Sequence, residues 1–208
     1  MSRRIVVLDY GSGNVRSVVR MLERVGAEVT LTADPAAVRR ADGLYVPGVG
    51  NFHACVQGLV DVGGDTLVRE RIAAGAPVLG VCVGMQALFA DSTETSAIAT
   101  HPGLAHWPGV VRRLAGPVVP HMGWSSVEPP AESVLLKGLA GERFYFVHSY
   151  AADKAATRQG GAPLTTWATH GSRFVAAVED GPVSATQFHP EKSGDAGAQL
   201  LSTWLQTL

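Results

Sequence analysis

The sequence of 208 residues lacks most of the features that would place it in a specialised structural class. Its two cysteines are too few for a disulfide scaffold and have no Cys/His spacing typical of a metal site. The 17 basic residues are balanced by 18 acidic ones without a long basic block, which disfavours nucleic-acid binding. No apolar run reaches membrane-spanning length. These absences indicate a globular protein of a reducing compartment, and we expect the cytoplasm.

We do not expect the start of the sequence to act as a secretion signal. Two arginines precede the apolar run Ile5–Leu8, but Asp9 cuts that run off after four residues. The hydrophobic content of 46% is enough to bury a sizeable core. We therefore expect residues 1–208 to form a single α/β domain.

Strand and helix signals alternate along the first half of the chain. Short apolar runs predict strands at Arg4–Leu8, Glu28–Thr32, Leu44–Val46 and Ala76–Leu79. Helical patterns lie between them: Asp34-Pro35 is typical of an N-cap followed by proline, and Gly63-Gly64 is expected to break the helical stretch that runs to residue 74. Asp195 is expected to cap a final helix with an apolar stripe.

The second half is richer in β signals. After a loop-like region from Asp91 to Gly109, strand patterns recur at Arg143–Tyr150, Leu164–Thr169 and Phe174–Glu179. We predict an α/β fold with a flavodoxin-like layered sheet, mostly parallel with an antiparallel extension, and helices on both faces.

One cysteine lies in a frame of small residues. Gly80-Val81-Cys82-Val83-Gly84 falls between a buried-strand pattern and Met85–Phe89, which favours helix. A strand-to-helix turn of this kind is a nucleophile elbow, and the helix N-terminus favours the thiolate form. The alternative is a buried structural cysteine, which is how we interpret Cys55.

Two further segments supply what a nucleophilic cysteine needs. His189-Pro190-Glu191 offers an imidazole to move protons and a carboxylate to orient it. Leu44–Gly50 predicts a strand that ends in a glycine-rich turn able to present backbone N–H groups to an oxyanion. Taken alone, either segment is more simply interpreted as an ordinary turn.

In their order along the chain, the glycine-rich turn, the cysteine elbow and the His-x-Glu pair resemble those of the triad (class I) glutamine amidotransferases. Other stretches extend the resemblance over essentially the whole chain and narrow it to the glutaminase subunits of imidazole glycerol phosphate synthase: Asp9–Asn14, Pro47–Gly50, Pro120–Trp124, Phe144–Tyr150 and His189–Gly194. One departure is Ser125, which stands where this family usually carries asparagine. His121 and His148 lie in matching stretches, and we interpret them as structural histidines.

The resemblance implies roles for particular residues, with no metal and no cofactor. The triad would be Cys82, His189 and Glu191. The oxyanion hole would be formed by Val49, Gly50 and Val83. The glutamine pocket would be lined by Gly50, Gln86, His148, Ser149 and Tyr150. The contact with a partner would include Trp124, Tyr145 and Lys192.

The resemblance also implies a partner. Ammonia released into water becomes protonated and loses its nucleophilicity, so it must be handed over directly. The expected partner is a cyclase subunit with a (β/α)8 barrel, which forms a heterodimer with the glutaminase. That cyclase adds ammonia to a phosphoribulosyl-formimino-aminoimidazole ribonucleotide and yields imidazole glycerol phosphate and an aminoimidazole carboxamide ribonucleotide.

Two other functions remain open at this point. One is a glutaminase subunit of another pathway, such as pyridoxal phosphate synthesis, although those subunits usually have a glycine run and lack Met122-Gly123-Trp124. The other is a cysteine-elbow hydrolase or regulatory module that does not use glutamine, which the His-x-Glu pair disfavours.

Overall fold

The computed structural model describes residues 2–11, 13–97, 99–116, 118–157 and 161–208. Ser12, which belongs to the Asp9–Asn14 stretch, lies outside the described residues. Twelve strands are present in the described part of the chain: β1 (Arg4–Leu8), β2 (Glu28–Thr32), β3 (Gly43–Val46), β4 (Val78–Val81), β5 (Phe89–Ser92), β6 (Trp107–Arg113), β7 (His121–Ser126), β8 (Arg143–His148), β9 (Tyr150–Ala152), β10 (Leu164–His170), β11 (Ser172–Asp180) and β12 (Val183–Thr186). The α-helices of the same ranges are α1 (Val15–Arg24), α2 (Pro35–Arg40), α3 (Phe52–Asp61), α4 (Gly64–Ala73), α5 (Val83–Gln86) and α6 (Gly194–Gln206).

The main sheet has seven strands in the order β10-β11-β12-β4-β3-β1-β2. The five strands from β12 to β2 pair in parallel, which is the 2-1-3-4-5 order of flavodoxin-like folds. Strands β10 and β11 continue this sheet in antiparallel pairing. The predicted α/β class, with a mostly parallel sheet and an antiparallel extension, is therefore confirmed.

Not every β-rich run joins that sheet. The predicted strand over Arg143–Tyr150 is divided at Ser149: β8 pairs with β7 in a two-stranded sheet, and β9 pairs with β6 in a three-stranded one. The predicted loop between Asp91 and Gly109 is shorter than expected, because its two ends belong to β5 and β6, which pair in parallel. Local patterns carry no information about which strands become neighbours.

The helices form two layers. Helix α1 packs against α6, whereas α4 packs against both α2 and α3. Asp34 caps α2 as predicted, since its side chain accepts from the N–H groups of Ala36 and Ala37. Asp195 does not cap α6, contrary to expectation: Ser193 occupies the N-cap position, and the Asp195 carboxylate lies 2.6 Å from the Arg24 guanidinium. No helix in the described ranges is long and apolar enough to cross a membrane.

A buried arginine ties one helical layer to the sheet. Arg71, on α4, is only 3% exposed. Its guanidinium donates to backbone carbonyls at the end of α2 and at the starts of β3 and β4, at distances of 2.8–3.3 Å: those of Val38, Ala41, Asp42 and Pro77. Because β3 and β4 are the strands that lead into the candidate site, this cluster fixes where they begin.

We expect Arg71→Met to lower the free energy of unfolding by about 3 kcal/mol, because it leaves buried carbonyl groups without the charged donor that satisfies them. Arg39 is a matched control: it pairs with Glu70 at 2.9 Å, but both side chains are exposed. Arg39→Ala should therefore change stability by less than about 1 kcal/mol. Urea unfolding of the two variants measures the difference. Equal losses would show that the Arg71 cluster does not stabilise the fold.

Candidate active site

Cys82 occupies a sharp turn between β4 and α5. Its φ is +57°, a region that non-glycine residues rarely adopt. The backbone is held there on both sides, because the Cys82 N–H donates to the Thr186 carbonyl at 2.7 Å and the Cys82 carbonyl accepts from the Gln86 N–H. Such a strained turn is the geometry of a nucleophile elbow, as predicted. The helix that follows is shorter than expected: it ends at Gln86, and Phe89 already belongs to β5.

The elbow presses directly against the turn after β3. A Cβ atom added to Gly84 would lie 2.2 Å from the Val46 carbonyl oxygen, and one added to Gly48 would lie 2.1 Å from the Gly84 nitrogen. Only glycine permits this contact between backbones. The contact places Val49 and Gly50, which follow Gly48, beside the nucleophile.

His189 and Glu191 form a buried pair. The His189 Nδ1–H donates to a Glu191 carboxylate oxygen at 2.7 Å, and each side chain is only 4% exposed. The short 3₁₀ turn Pro190–Lys192 brings the carboxylate back to the ring. Since Nδ1 is engaged by Glu191, Nε2 is the ring nitrogen available to Cys82, which lines the same cavity as His189. Cys82, His189 and Glu191 are therefore brought together at one place in the fold.

The His189 imidazole is held in its charged form. Burial by itself would lower its pKa, but the interactions with Cys82 and Glu191 outweigh burial and raise the pKa to about 9. The hydroxyl of Tyr45, on β3, donates to the second Glu191 oxygen at 3.3 Å. Burial and then the Glu191 charge raise the pKa of Tyr45, so this hydroxyl keeps its proton. Sequence reasoning missed Tyr45, although a tyrosine within a buried strand usually requires a polar partner.

A cavity of about 400 Å³ opens above the sulfur. Most of the predicted site residues line it: Val49, Gly50, Cys82, Val83, Gln86, His148, Ser149, Tyr150, His189 and Lys192. Glu191 lies behind His189 and does not line it. The lining also includes Glu94, which sequence reasoning missed because it lies in a loop without a pattern. The Glu94 carboxylate is fixed by the Phe52 N–H at 2.7 Å.

Gln187 is a further residue that sequence reasoning missed. Its side-chain N–H lies 3.7 Å from the Cys82 sulfur, and its side-chain oxygen accepts from the Gln86 amide at 3.0 Å. The Gln86 amide also donates to the Tyr150 carbonyl at 2.8 Å. Gln187 thus connects the nucleophile to the wall of the cavity. The sequence signal that could have pointed to Gln187 is its position two residues before His189, the proposed base.

Residues 6–206 match the family described as Glutamine amidotransferase class-I. The HisH subunit of imidazole glycerol phosphate synthase from Mycobacterium leprae is 61% identical over 208 residues, covering 100% of this chain and 99% of the relative. The corresponding HisH from Thermobifida fusca is 54% identical, with 100% of both chains covered. The chain belongs to the HisH group of the class-I glutamine amidotransferase family.

Solved structures described as glutamine amidotransferases share the fold of this class-I protein. One of them has a TM-score of 0.74 at 20% identity and covers 98% of this chain and 99% of its own. Another, from Thermotoga maritima, has a TM-score of 0.67 at 13% identity and covers 100% of this chain and 98% of its own. At these identities the likeness concerns the fold alone.

The three residues predicted to contact a partner lie together beside the cavity. The Trp124 ring is 45% exposed and meets the Tyr145 ring edge to face at 6.0 Å between centroids. The Lys192 ammonium lies 5.9 Å from the centre of the Tyr145 ring. Met122, two residues before Trp124, is 63% exposed. The tryptophan is therefore not a core residue, and the cluster leads from the cavity mouth to the surface.

Glu191 should control the pH dependence of the site. The raised pKa of His189 means that the imidazolium is the stabilised form, present below about pH 9 and lost as the pH rises through that value. We expect kcat/KM for glutamine to fall above about pH 9. Glu191→Gln removes one of the charges that raise this pKa, so the fall should begin at lower pH. The measurement is a pH–rate profile of both proteins.

The exposed Glu142 provides a control, and Glu142→Gln should leave the profile unchanged. An alkaline limb at the same pH in the Glu191→Gln variant and in the unmodified protein would contradict the assignment of the limb to His189.

Proposed function

We propose that this chain is the glutaminase subunit of an imidazole glycerol phosphate synthase in histidine biosynthesis. The observation that carries the proposal is the convergence of Cys82 and the buried His189–Glu191 pair at one cavity. The full-length HisH relatives at 54–61% identity support the pathway assignment.

In the first half of the reaction, the Cys82 thiolate attacks the side-chain amide carbon of glutamine. Backbone N–H groups of Val83 and of the Val49-Gly50 segment are the proposed donors to the developing oxyanion. His189 gives its proton to the departing nitrogen, ammonia leaves, and a γ-glutamyl thioester remains on Cys82. Glu191 keeps the ring oriented throughout.

In the second half, neutral His189 takes a proton from a water molecule that attacks the thioester carbon. The C–S bond breaks, glutamate is released and the thiolate–imidazolium pair forms again. No cofactor is needed, because each proton taken by His189 is returned within the cycle.

The cavity is lined by groups that can bind the amino-acid end of glutamine. Glu94 offers a carboxylate to the α-ammonium group of glutamine, while Gly50, Gln86, His148, Ser149 and Tyr150 are the proposed wall of the pocket. Gly50 has a φ of +81°, a backbone conformation that glycine adopts without strain and that other residues rarely adopt.

The proposed partner is the cyclase subunit with a (β/α)8 barrel. Trp124, Tyr145 and Lys192 are proposed to contact it, since an exposed tryptophan beside a cavity mouth is typical of an anchor in an interface. The cavity would then open toward the cyclase, so that ammonia passes between the subunits instead of entering water. The cytoplasmic location stays a prediction.

The two alternatives receive less support. A regulatory module has no need for a buried His–Glu pair beside the thiol, and a hydrolase that does not use glutamine is disfavoured because the full-length relatives are HisH subunits. A glutaminase of pyridoxal phosphate synthesis is disfavoured because relatives covering the whole chain are HisH subunits.

The direct test is glutamine hydrolysis by the chain together with its cyclase and the cyclase's nucleotide substrate. We expect Cys82→Ala to abolish turnover, a loss of at least about 10⁴-fold, because no nucleophile remains. The assay should also show strong stimulation by the cyclase and nucleotide together. A rate of glutamine hydrolysis that is the same with and without the cyclase and nucleotide would contradict the proposed partnership.

Cys55→Ala is the matched control. Cys55 is a buried thiol whose pKa is raised to about 12, chiefly by burial, so it remains protonated and unreactive. Its sulfur contacts the Tyr10 hydroxyl at 3.1 Å. The Cys55→Ala variant should keep most of the activity, and the reverse pattern in the two variants would refute Cys82 as the nucleophile.

A further inference from the structure

A series of buried hydrogen bonds runs from strand β7 into the wall of the glutamine pocket. The Ser125 hydroxyl lies 2.8 Å from His121 Nε2, and His121 Nδ1 lies 3.1 Å from His148 Nε2. His148 Nδ1 lies 2.9 Å from the Tyr150 carbonyl oxygen, which also accepts from the Gln86 amide at 2.8 Å. The two histidines are 3% and 6% exposed.

The carbonyl at one end fixes every proton in the series. Because a carbonyl oxygen can only accept, His148 must carry its proton on Nδ1, which leaves Nε2 as an acceptor. His121 must then donate from Nδ1, so its own Nε2 accepts. The donor to that nitrogen is the Ser125 hydroxyl. Any other arrangement of two neutral rings places two lone pairs or two protons face to face.

Both rings are neutral, as this order requires. Burial lowers the pKa of His148 to about 3, and burial also lowers the pKa of His121 to about 4. His170 stacks on His121 at 4.2 Å between centroids, but its Nε2–H donates to the Val118 carbonyl and does not enter the series.

We infer that Ser125 and His121 are positioning residues for glutamine binding: the Ser125 hydroxyl donates to His121 and holds that ring against His148, so that His148 holds the Tyr150 carbonyl beside Gln86. The inference rests on the proposed glutaminase function, since it gives these residues a task in the glutamine pocket. Neither Ser125 nor His121 lines the cavity.

The inference gives Ser125 a role in this chain. A strand side chain at this position is required to donate a hydrogen bond, and serine does so through its hydroxyl. Gly123 lies between the two partners with φ +135°, a conformation that favours glycine, so the strand departs from regular geometry where the His121–Ser125 bond forms.

The test combines kinetics of the complex with NMR of the full chain. For Ser125→Ala, we expect KM for glutamine to rise about three- to tenfold, the size of one lost hydrogen bond, while kcat stays within about twofold. Correlation spectra of the ¹⁵N-labelled imidazole rings should show His121 and His148 as Nδ1–H tautomers in the unmodified chain. In Ser125→Ala the His121 Nε2 resonance should shift, because that nitrogen loses its hydrogen-bond donor, whereas both rings keep the Nδ1–H tautomer.

Three companion variants sharpen the result. Ser125→Thr keeps the hydroxyl and should restore both readouts. Ser126→Ala alters a neighbouring serine that is exposed and points to the other face of the strand, and it should change neither. His121→Phe keeps a ring but cannot donate, so adding Ser125→Ala to it should have no further effect on KM.

An Nε2–H tautomer of His148 in the unmodified chain would overturn the inference. So would a Ser125→Ala variant whose KM and His121 Nε2 resonance match those of Ser126→Ala. If instead the unmodified complex hydrolyses no glutamine, the proposed function fails, whereas the NMR spectra still decide whether Ser125 donates to His121.

Discussion

The parallel pairing of β4 with β3 on one side and β12 on the other is the constraint on which the site depends. Neighbouring parallel strands end at the same edge of a sheet, so the segments after Val46, Val81 and Thr186 emerge side by side. The first carries the proposed oxyanion turn, the second the thiol and the third the base. The backbone contact between Gly48 and Gly84 then removes any remaining space between turn and elbow.

This framework allows charge to be buried at the base of the cavity. An ion pair inside a protein is destabilising unless its remaining hydrogen bonds are made, and here the Tyr45 hydroxyl donates to the second Glu191 oxygen. Cys82 and Glu191 together raise the pKa of His189 and so favour its charged form. The His189 segment is also bonded to β8, where the His189 N–H donates to the Tyr145 carbonyl and the Ser193 hydroxyl links the two segments. The proposed base therefore shares its support with a residue of the proposed interface.

The sequence contained enough to predict the class-I family and the layered sheet. It also singled out Cys82, His189 and Glu191, which the fold brings together, because glycine frames and the His-x-Glu pair are local signals. It did not predict that β7 and β8 leave the main sheet, since strand partners are chosen by tertiary packing. Met85–Phe89 looked helical, yet Phe89 pairs in parallel with Trp107 in a sheet instead. Glu94, Tyr45 and Gln187 were missed because only the folded chain brings them to the cavity.

The most direct test of the account is to identify which sulfur reacts with a substrate-like electrophile. A diazoketone analogue of glutamine should alkylate the nucleophile when it binds in the glutamine pocket of the chain complexed with its cyclase. Peptide mass spectrometry should find the label on Cys82 alone, with loss of glutaminase activity in proportion to labelling and protection by glutamine. Labelling of Cys55, or full labelling of Cys82 in a complex that still hydrolyses glutamine, would contradict the account.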